Sequence, residues 1–247
     1  MKEVFTLRKV LEVGGIVAGA VLIAFGIATL VIGLNGRSTV HNSLKQEQIV
    51  GSPDMTPAAI APGVQAILAS QQKLAAAQVK AGIPADQRFV FSGVTAPSCS
   101  AAGKLVDNGE TARCFAQYMR IHALEATGGL TYAQMGRFTA KPGTPLKYTD
   151  FNGATSIDTY ALIDAKTKQP VGNHARDLWV TETALTTALN TSYMAERISL
   201  FGLMVGITLL LSGFGFAILA VGGALRRIPR PASEPSRRRV PTPAQTT

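Results

Sequence analysis

The chain contains three histidines, and one of them has the spacing of a possible metal ligand. His122 lies three residues before Glu125 in a segment with helical periodicity, so both side chains can share one helix face. With His41 or His174 added, two imidazoles and one carboxylate would make the ligand set of non-haem iron oxygenases. A His and a Glu at this spacing are frequent by chance, and nothing in the sequence brings a third ligand close. We therefore predict no metal or other cofactor, and keep His122, Glu125 and His174 as weak metal candidates.

Cys99 and Cys114 are the only cysteines, and their pairing is the second chemical possibility. An even pair of cysteines in an oxidising compartment indicates a disulfide. Closing a loop of this length would stabilise the fold by about 3 kcal/mol on the chain-entropy argument. The alternative is two buried free thiols. A zinc site is not indicated, since two cysteines at this spacing match no zinc signature.

Sequence motifs that would identify a catalytic residue are missing. The chain has no Gly-x-Ser-x-Gly elbow, no Gly-x-Gly-x-x-Gly loop and no Walker loop. We predict no catalytic residue, and whether the protein is an enzyme stays open.

The elements that must position these residues include two long uncharged segments. Val13–Leu34 has 22 residues and Ile198–Leu225 has 28, and neither contains Asp, Glu, Lys or Arg. A bilayer core of about 30 Å requires roughly 20 helical residues. The alternative for the first segment is a cleaved signal peptide, which is shorter in its apolar part and ends at a small-residue cleavage site. Both segments are predicted to be transmembrane helices.

The charges flanking these segments predict the orientation. Lys2, Arg8 and Lys9 precede the first segment, and six arginines between Arg226 and Arg239 follow the second. Cytoplasmic flanks carry the excess of Lys and Arg, so both termini are predicted to be cytoplasmic at the plasma membrane. The part between the segments is nearly balanced, so the net charge of +9 reflects topology and nucleic acid is not an expected partner. The arginine cluster is expected to contact anionic lipid.

The predicted fold class is a membrane protein, mainly α, in which two transmembrane helices flank an α+β extracytoplasmic domain. A helical pattern without Gly or Pro runs from Leu178 into the second span, so one continuous helix should join domain and membrane. The predicted organisation is a cytoplasmic tail at 1–12, a first span at 13–34, the outer domain at 35–197, a second span at 198–225 and a disordered basic, Pro-rich tail at 226–247.

Within the outer domain the sequence predicts two helices and a few strands. Thr56 can cap a helix in which Pro57 holds the first position and which ends near Gly82. A second helix is predicted at Glu110–Thr127. The strand predictions are Arg88–Gly93 and a hairpin from Ser156 to Val171 that turns at 166–169 and pairs with Phe89–Phe91.

Small residues within the apolar segments suggest how the two spans meet. Gly15 and Gly19 in the first segment, and Gly202 and Gly206 in the second, repeat with a spacing of four. Such small residues let helix backbones approach closely in lipid. We predict that the two spans pack on each other through these glycines; the alternative is that glycine is simply common in membrane helices.

Two stretches carry a resemblance to a known group of proteins. They are Gly51-Ser-Pro-Asp-Met-Thr-Pro57 and the segment Trp179–Glu196 that leads into Leu200-Phe-Gly202. On these stretches the chain resembles uncharacterised two-pass membrane proteins of actinobacteria. Some members are labelled aromatic ring-opening dioxygenase, an activity for which the residues here supply no credible iron site. The resemblance implies the two-pass layout and no catalytic residue.

The function favoured by these features is a non-enzymatic binding or assembly module on the outer membrane face, with a protein or cell-envelope component as partner. A metal-dependent envelope enzyme acting through His122, Glu125 and His174 is the first alternative. A membrane sensor that signals to the basic tail is the second.

Overall fold

The computed structural model describes residues 2–91 and 93–222, and the protein is mainly helical, as predicted. Helix α1 spans Lys2–Gln46, α2 Pro57–Lys80, α3 Gly109–Ala126 and α4 His174–Val221. A small antiparallel sheet pairs β1 (Phe138–Thr139) with β2 (Ala154–Thr155). The basic tail predicted at 226–247 lies outside the described residues.

The chain divides into two compact units. One contains the described residues 2–31 and 203–222, and the other contains Ile32–Gly202. Helices α1 and α4 each contribute residues to both units. Both helices are long and apolar enough to cross a membrane, with an 18-residue window of mean hydropathy 2.6 in α1 and 2.3 in α4. Where a bilayer would begin and end along them stays a prediction.

Glycines in the unit of residues 2–31 and 203–222 bring two helix backbones into direct contact. A Cβ atom added at Gly19 would lie 2.8 Å from the carbonyl oxygen of Gly213, and one added at Gly213 would lie 2.8 Å from that of Gly19. Gly26 and Gly206 form a second reciprocal pair, at 3.0 Å in each direction. The residue number rises from Gly19 to Gly26 on one helix while that of the contacting glycine falls from Gly213 to Gly206 on the other, so the helices run antiparallel here.

The spacing that matters in this helix pair is seven residues, since seven separate the two contact glycines on each helix. A repeat of seven keeps a row of residues on the seam between two wrapped helices. Of the predicted packing residues, Gly19 lies against Gly213 and Gly206 lies against Gly26. Neither of these two partners was among the predicted packing glycines. Gly15 and Gly202 are half-buried.

Helix α1 continues beyond Leu34, where its apolar segment ends, to Gln46. Val40 and Leu44 lie one helical turn apart and both pack into the core of the unit formed by Ile32–Gly202. Tyr118 of α3 is fully buried in the same core and donates a hydrogen bond from its hydroxyl to the Cys99 carbonyl oxygen at 2.6 Å. Cys99 and Cys114 are joined by a disulfide, as predicted.

Side-chain caps fix where α2 and α3 begin. The Thr56 hydroxyl accepts a hydrogen bond from the backbone N–H of Ala59 at 3.1 Å, and Pro57 occupies the first helical position, so the predicted start of α2 is confirmed. At α3, the side chain of Asn108 accepts from the Thr111 N–H while the Thr111 hydroxyl accepts from the Asn108 N–H.

The strand predicted at Arg88–Gly93 is wrong for its described residues. Gln78, a buried residue of α2, occupies the place of a neighbouring strand: its Oε1 accepts from the Phe89 N–H at 2.7 Å, and its Nε2 donates to the Phe89 carbonyl at 3.4 Å. A side-chain amide offers the same donor and acceptor as a peptide group, so this extended segment is satisfied without a sheet.

The predicted hairpin over Ser156–Val171 is present only in part, since Asp158–Tyr160 forms a 3-10 helix, and its partner differs from the prediction. Ile163 pairs with Pro170 across a turn in which the Asp164 carboxylate accepts from the N–H groups of Lys166 and Thr167. The hairpin then bonds to β1, because the Thr139 N–H donates to the Val171 carbonyl and the Thr139 carbonyl accepts from Leu162. Phe89–Phe91 takes no part.

Candidate functional site

A cavity of about 500 Å³ lies between α3 and the first three turns of α4, within the unit formed by Ile32–Gly202. Its wall is mostly apolar, with a few titratable groups at defined places. Met119, His122, Ala123 and Ala126 line it from α3, and His174, Asp177, Leu178, Thr181, Glu182 and Leu185 line it from α4.

Helical periodicity explains which residues line this cavity. On each helix they recur every three to four residues, singly or as adjacent pairs, which places them on a single face. On α3 that face carries two alanines where larger side chains would meet α4. The space between the helices is therefore left open by side-chain size.

Glu182 is the most unusual side chain of the cavity wall. The residue is only 4% exposed, and its Oε1 atom has no hydrogen-bond partner among the residues that the structure describes. Oε2 accepts a long bond of 3.4 Å from the Thr183 hydroxyl. Burial raises the pKa of the Glu182 carboxyl, and the positive charge of Arg120 opposes that rise only in part. Buried carboxylates are normally paired or fully hydrogen-bonded, so this one stands out.

Sequence reasoning missed Glu182, although a weak signal was present. Leu178, Glu182 and Leu185 fall on one helix face at spacings of four and three. A carboxylate between two leucines on a face that packs against another helix is out of place. Recognising it required knowing which face of α4 turns inward, and the apolar segment that follows obscures that periodicity.

His122 is held between two carboxylates at the edge of the cavity. Its Nδ1 lies 3.1 Å from Oε2 of Glu125 and its Nε2 lies 3.4 Å from Oδ2 of Asp54. Asp54 in turn accepts a hydrogen bond of 2.5 Å from the Ser52 hydroxyl, and this bond together with His122 lowers the pKa of the Asp54 carboxyl. The order is thus Ser–Asp–His, whereas nucleophilic catalysis needs the imidazole to contact the serine hydroxyl.

The weak metal candidates are only partly brought together. His122 and His174 line the same cavity, while Glu125 lies on an exposed part of α3, where its carboxylate contacts His122 and lies close to Gly63. His41 is elsewhere and contacts Glu196. Within residues 2–91 and 93–222, no three or more His, Cys, Asp or Glu side chains are grouped so as to hold a metal ion.

Glu196 forms a second polar cluster, which differs from the cavity because its carboxylate is well satisfied. Its Oε1 atom lies 3.4 Å from Nε of Arg37 and 3.3 Å from Nε2 of His41, both on α1. Its Oε2 atom accepts from the backbone N–H of Gly109, the first residue of α3, at 2.5 Å. A carboxylate at a helix N-terminus also meets the positive end of the helix dipole. The cluster ties α1, α3 and α4 together and has a structural role.

Comparisons with protein-family models, curated proteins and solved structures find no match to this chain. The resemblance to actinobacterial two-pass proteins therefore stays a prediction. The functional argument rests on the geometry of the cavity.

Proposed function

We propose that this protein is a two-pass plasma-membrane protein with cytoplasmic termini, whose unit of residues 32–202 lies outside the membrane and binds an apolar molecule between α3 and α4. The protein is a binding module and not an enzyme. Its ligand is a small apolar component of the cell envelope.

The membrane part of this proposal is supported by composition and charge. Two helices carry apolar stretches long enough to cross a bilayer. Lys and Arg are concentrated before the first stretch and after the second, on the sides that the positive-inside rule assigns to the cytoplasm. The Cys99–Cys114 disulfide agrees with an oxidising compartment for the part of the chain between the two apolar stretches.

The binding part is carried by the α3/α4 cavity. A cavity of about 500 Å³ with a mostly apolar wall and a few polar groups has the size and character of a small-molecule site. The space is a groove open to solvent, in which Ala123 is buried and Ala126 is exposed.

Filling the cavity tests the binding proposal. We expect the full chain, extracted in mild detergent and analysed by native mass spectrometry, to carry an apolar small molecule that Ala126→Phe removes. Ala66→Phe is the matched control, because Ala66 is an exposed alanine of α2 away from the cavity. A ligand retained equally by Ala126→Phe, or a wild-type chain that carries none from its native membrane, would refute the proposal.

Labelling of intact cells tests the topology separately. A membrane-impermeant maleimide should modify Ala66→Cys in intact cells, and Ser236→Cys only after the cells are permeabilised. The reverse pattern, or modification of both in intact cells, would contradict the proposed orientation.

A further inference from the structure

A second groove, separate from the α3/α4 cavity, runs beside α3 and carries two arginines. Two adjoining cavities form it, one of about 470 Å³ and one of about 250 Å³, and Ser98 and Gln117 line both. One wall is the segment 93–98, and the other is a face of α3 with Arg113, Gln117 and Arg120. These three side chains are four and three residues apart, so they follow one another along a single helix face.

The wall at 93–98 has an unpaired backbone. Among the residues that the structure describes, none of its N–H or C=O groups has a hydrogen-bond partner. Val94 packs against the core and Pro97 is buried, and these two side chains anchor the segment. The other residues of the segment are exposed: Gly93, Thr95, Ala96 and Ser98. An accessible, unpaired backbone can bond to an extended chain laid beside it, as in peptide recognition by strand addition.

The opposite wall offers hydrogen-bond donors that the described chain leaves unused. The guanidinium carbon of Arg113 lies 4.6 Å from the centre of the Tyr193 ring, and that of Arg120 lies 5.4 Å from the centre of the Trp179 ring. Both arginines are exposed, and neither has a hydrogen-bond or ion-pair partner among the described residues. A guanidinium that stacks by its face keeps the N–H groups at its edge free to donate.

The charges around the groove favour an anionic occupant. Glu110 also lines it, but the carboxylate of Glu110 is paired with Arg197. The carboxylate of Glu182 offsets part of the charge of Arg120, yet Glu182 is only 4% exposed and is not among the lining residues. Arg113 has no carboxylate within ion-pair distance in the described chain. The accessible face of α3 therefore presents more positive than negative charge.

We propose that this groove binds an extended acidic segment of a partner protein, which pairs with the backbone of 93–98 and places carboxylates against Arg113 and Arg120. The proposal adds a protein partner and does not depend on what the α3/α4 cavity binds. At 1.5 Å of rise per residue the two arginines are about 10.5 Å apart along α3, a distance that an extended chain covers in about three residues. A polyphosphate would meet the arginines but has no peptide groups to pair with 93–98.

The test compares two peptides that differ only in charge. Fluorescein-labelled hexapeptide amides with Thr and Glu in alternation, or with Thr and Gln in alternation, are titrated with the full chain in nanodiscs of phosphatidylcholine, and binding is followed by anisotropy. We expect the Glu peptide to bind about tenfold more tightly than the Gln peptide at low salt, the combined effect of two exposed ion pairs. Added salt should reduce this preference, because exposed charges are screened.

Arg113→Gln should lower the preference for the Glu peptide from about tenfold to about threefold, since one of two ion pairs is lost. Arg113 is chosen over Arg120 because Arg120 also offsets the charge of the buried Glu182. Lys73→Gln, at an exposed basic residue of α2 that is not among those lining the groove, is the control and should keep the full preference. Equal binding of the two peptides by the wild-type chain, or a preference that Arg113→Gln leaves unchanged, would overturn the proposal.

Hydrogen exchange on the unmodified chain tests the backbone contact without a variant that could misfold. The bound Glu peptide should slow amide exchange within 93–98, where the N–H groups have no partner in the described chain. Binding of the Glu peptide without slower exchange in this segment would show a contact made by charge alone, of the kind that inorganic polyphosphate also makes. That result would overturn the assignment of an extended peptide.

Discussion

The two units of the molecule pack by opposite means. In the unit of residues 2–31 and 203–222, the two helix backbones approach closely at Gly19 with Gly213 and at Gly26 with Gly206. Glycine allows this approach because it has no side chain. In the unit of Ile32–Gly202, contact is made by large side chains around Tyr118 and by a disulfide. At its contact glycines the first unit leaves no room for an added atom, whereas the second unit contains an open cavity.

The treatment of polar groups differs in the same way. Hydroxyls in the helix pair bond within their own helix, as Thr29 does to the Phe25 carbonyl and Thr208 to the Met204 carbonyl. Such local bonds need no partner from another element, which suits a segment in lipid. Some buried polar groups of the other unit bond to residues distant in sequence, as Gln71 does to the Gly129 carbonyl and Asn173 to the Gly136 carbonyl, whereas Glu182 Oε1 has no partner among the described residues. The comparison shows that the carboxylate whose Oε1 has no partner among the described residues belongs to the wall of the α3/α4 cavity.

Removing the disulfide should have the largest effect on stability, and it should destabilise only the unit of Ile32–Gly202. Changing Cys99 and Cys114 together to serine is expected to lower the free energy of unfolding by about 3 kcal/mol, because the unfolded chain regains the freedom of the closed loop. Limited proteolysis of the full chain should show new cleavage within residues 32–202. Unchanged protease resistance under reducing and non-reducing conditions would break the comparison.

Replacing a contact glycine by a larger residue should have the next largest effect on stability, and it should destabilise the helix pair. Gly213→Ile is expected to destabilise the full chain by about 2 kcal/mol, since its Cβ would lie 2.8 Å from the Gly19 carbonyl oxygen. Gly215→Ile is the matched control, because a Cβ at Gly215 meets nothing within 4 Å. Denaturant titration in detergent micelles measures both. Equal losses for the two variants would show that the glycine pairs do not hold the helices together.

Neutralising Glu182 should stabilise the protein, by about 1 kcal/mol near pH 7.5. Its pKa is raised in the folded state, so stability from this group is highest below the unfolded value of 4.5 and falls as pH rises through the folded pKa. Glu182→Gln should therefore gain over wild type as the pH increases and match it near pH 4. Thermal unfolding across this range measures the gain. A loss of stability at pH 7.5 would show that the carboxylate is satisfied after all.

Asp54→Asn should have the smallest effect on stability, and unlike Glu182→Gln it should destabilise the protein. The Ser52 hydrogen bond and His122 lower the pKa of Asp54, so its contribution is present above the unfolded value of 3.8 and is lost as pH falls through the folded pKa. The variant should be less stable than wild type at pH 7 by under 1 kcal/mol, since the side chain is half exposed. The difference should shrink as the pH falls below 3.8, as followed by thermal unfolding. A constant difference across this range would point to lost packing.

The parts of the fold that sequence predicted are those with local causes. The helix starts at Pro57 and near Gly109 follow from capping residues within three positions, and the hairpin turn at 166–169 follows from residues adjacent in the chain. The strand prediction at Arg88–Gly93 was wrong because Gln78, eleven positions before Phe89, provides the hydrogen bonds of the Phe89 backbone. Alternation of side chains shows an extended backbone but does not show what pairs with it.

The candidate site was predicted even less completely. His122 and His174 were singled out for a metal, and both do line the cavity, but the residue that distinguishes the cavity is Glu182. A histidine is noticeable in a sequence because it is rare. A glutamate is noticeable only when its surroundings are known, since an exposed glutamate on a helix is ordinary.

The amino-acid sequence by itself determined the two long apolar helices, the pairing of its only two cysteines and the capped start of α2. These depend on transfer free energies summed along one segment, on the count of a single residue type and on hydrogen bonds between near neighbours. Only the tertiary structure decided that glycines meet at a spacing of seven, that Gln78 stands in for a strand and that Glu182 is buried without a partner. Burial and hydrogen-bond satisfaction depend on which residues from distant parts of the chain meet, and that is a property of the folded arrangement.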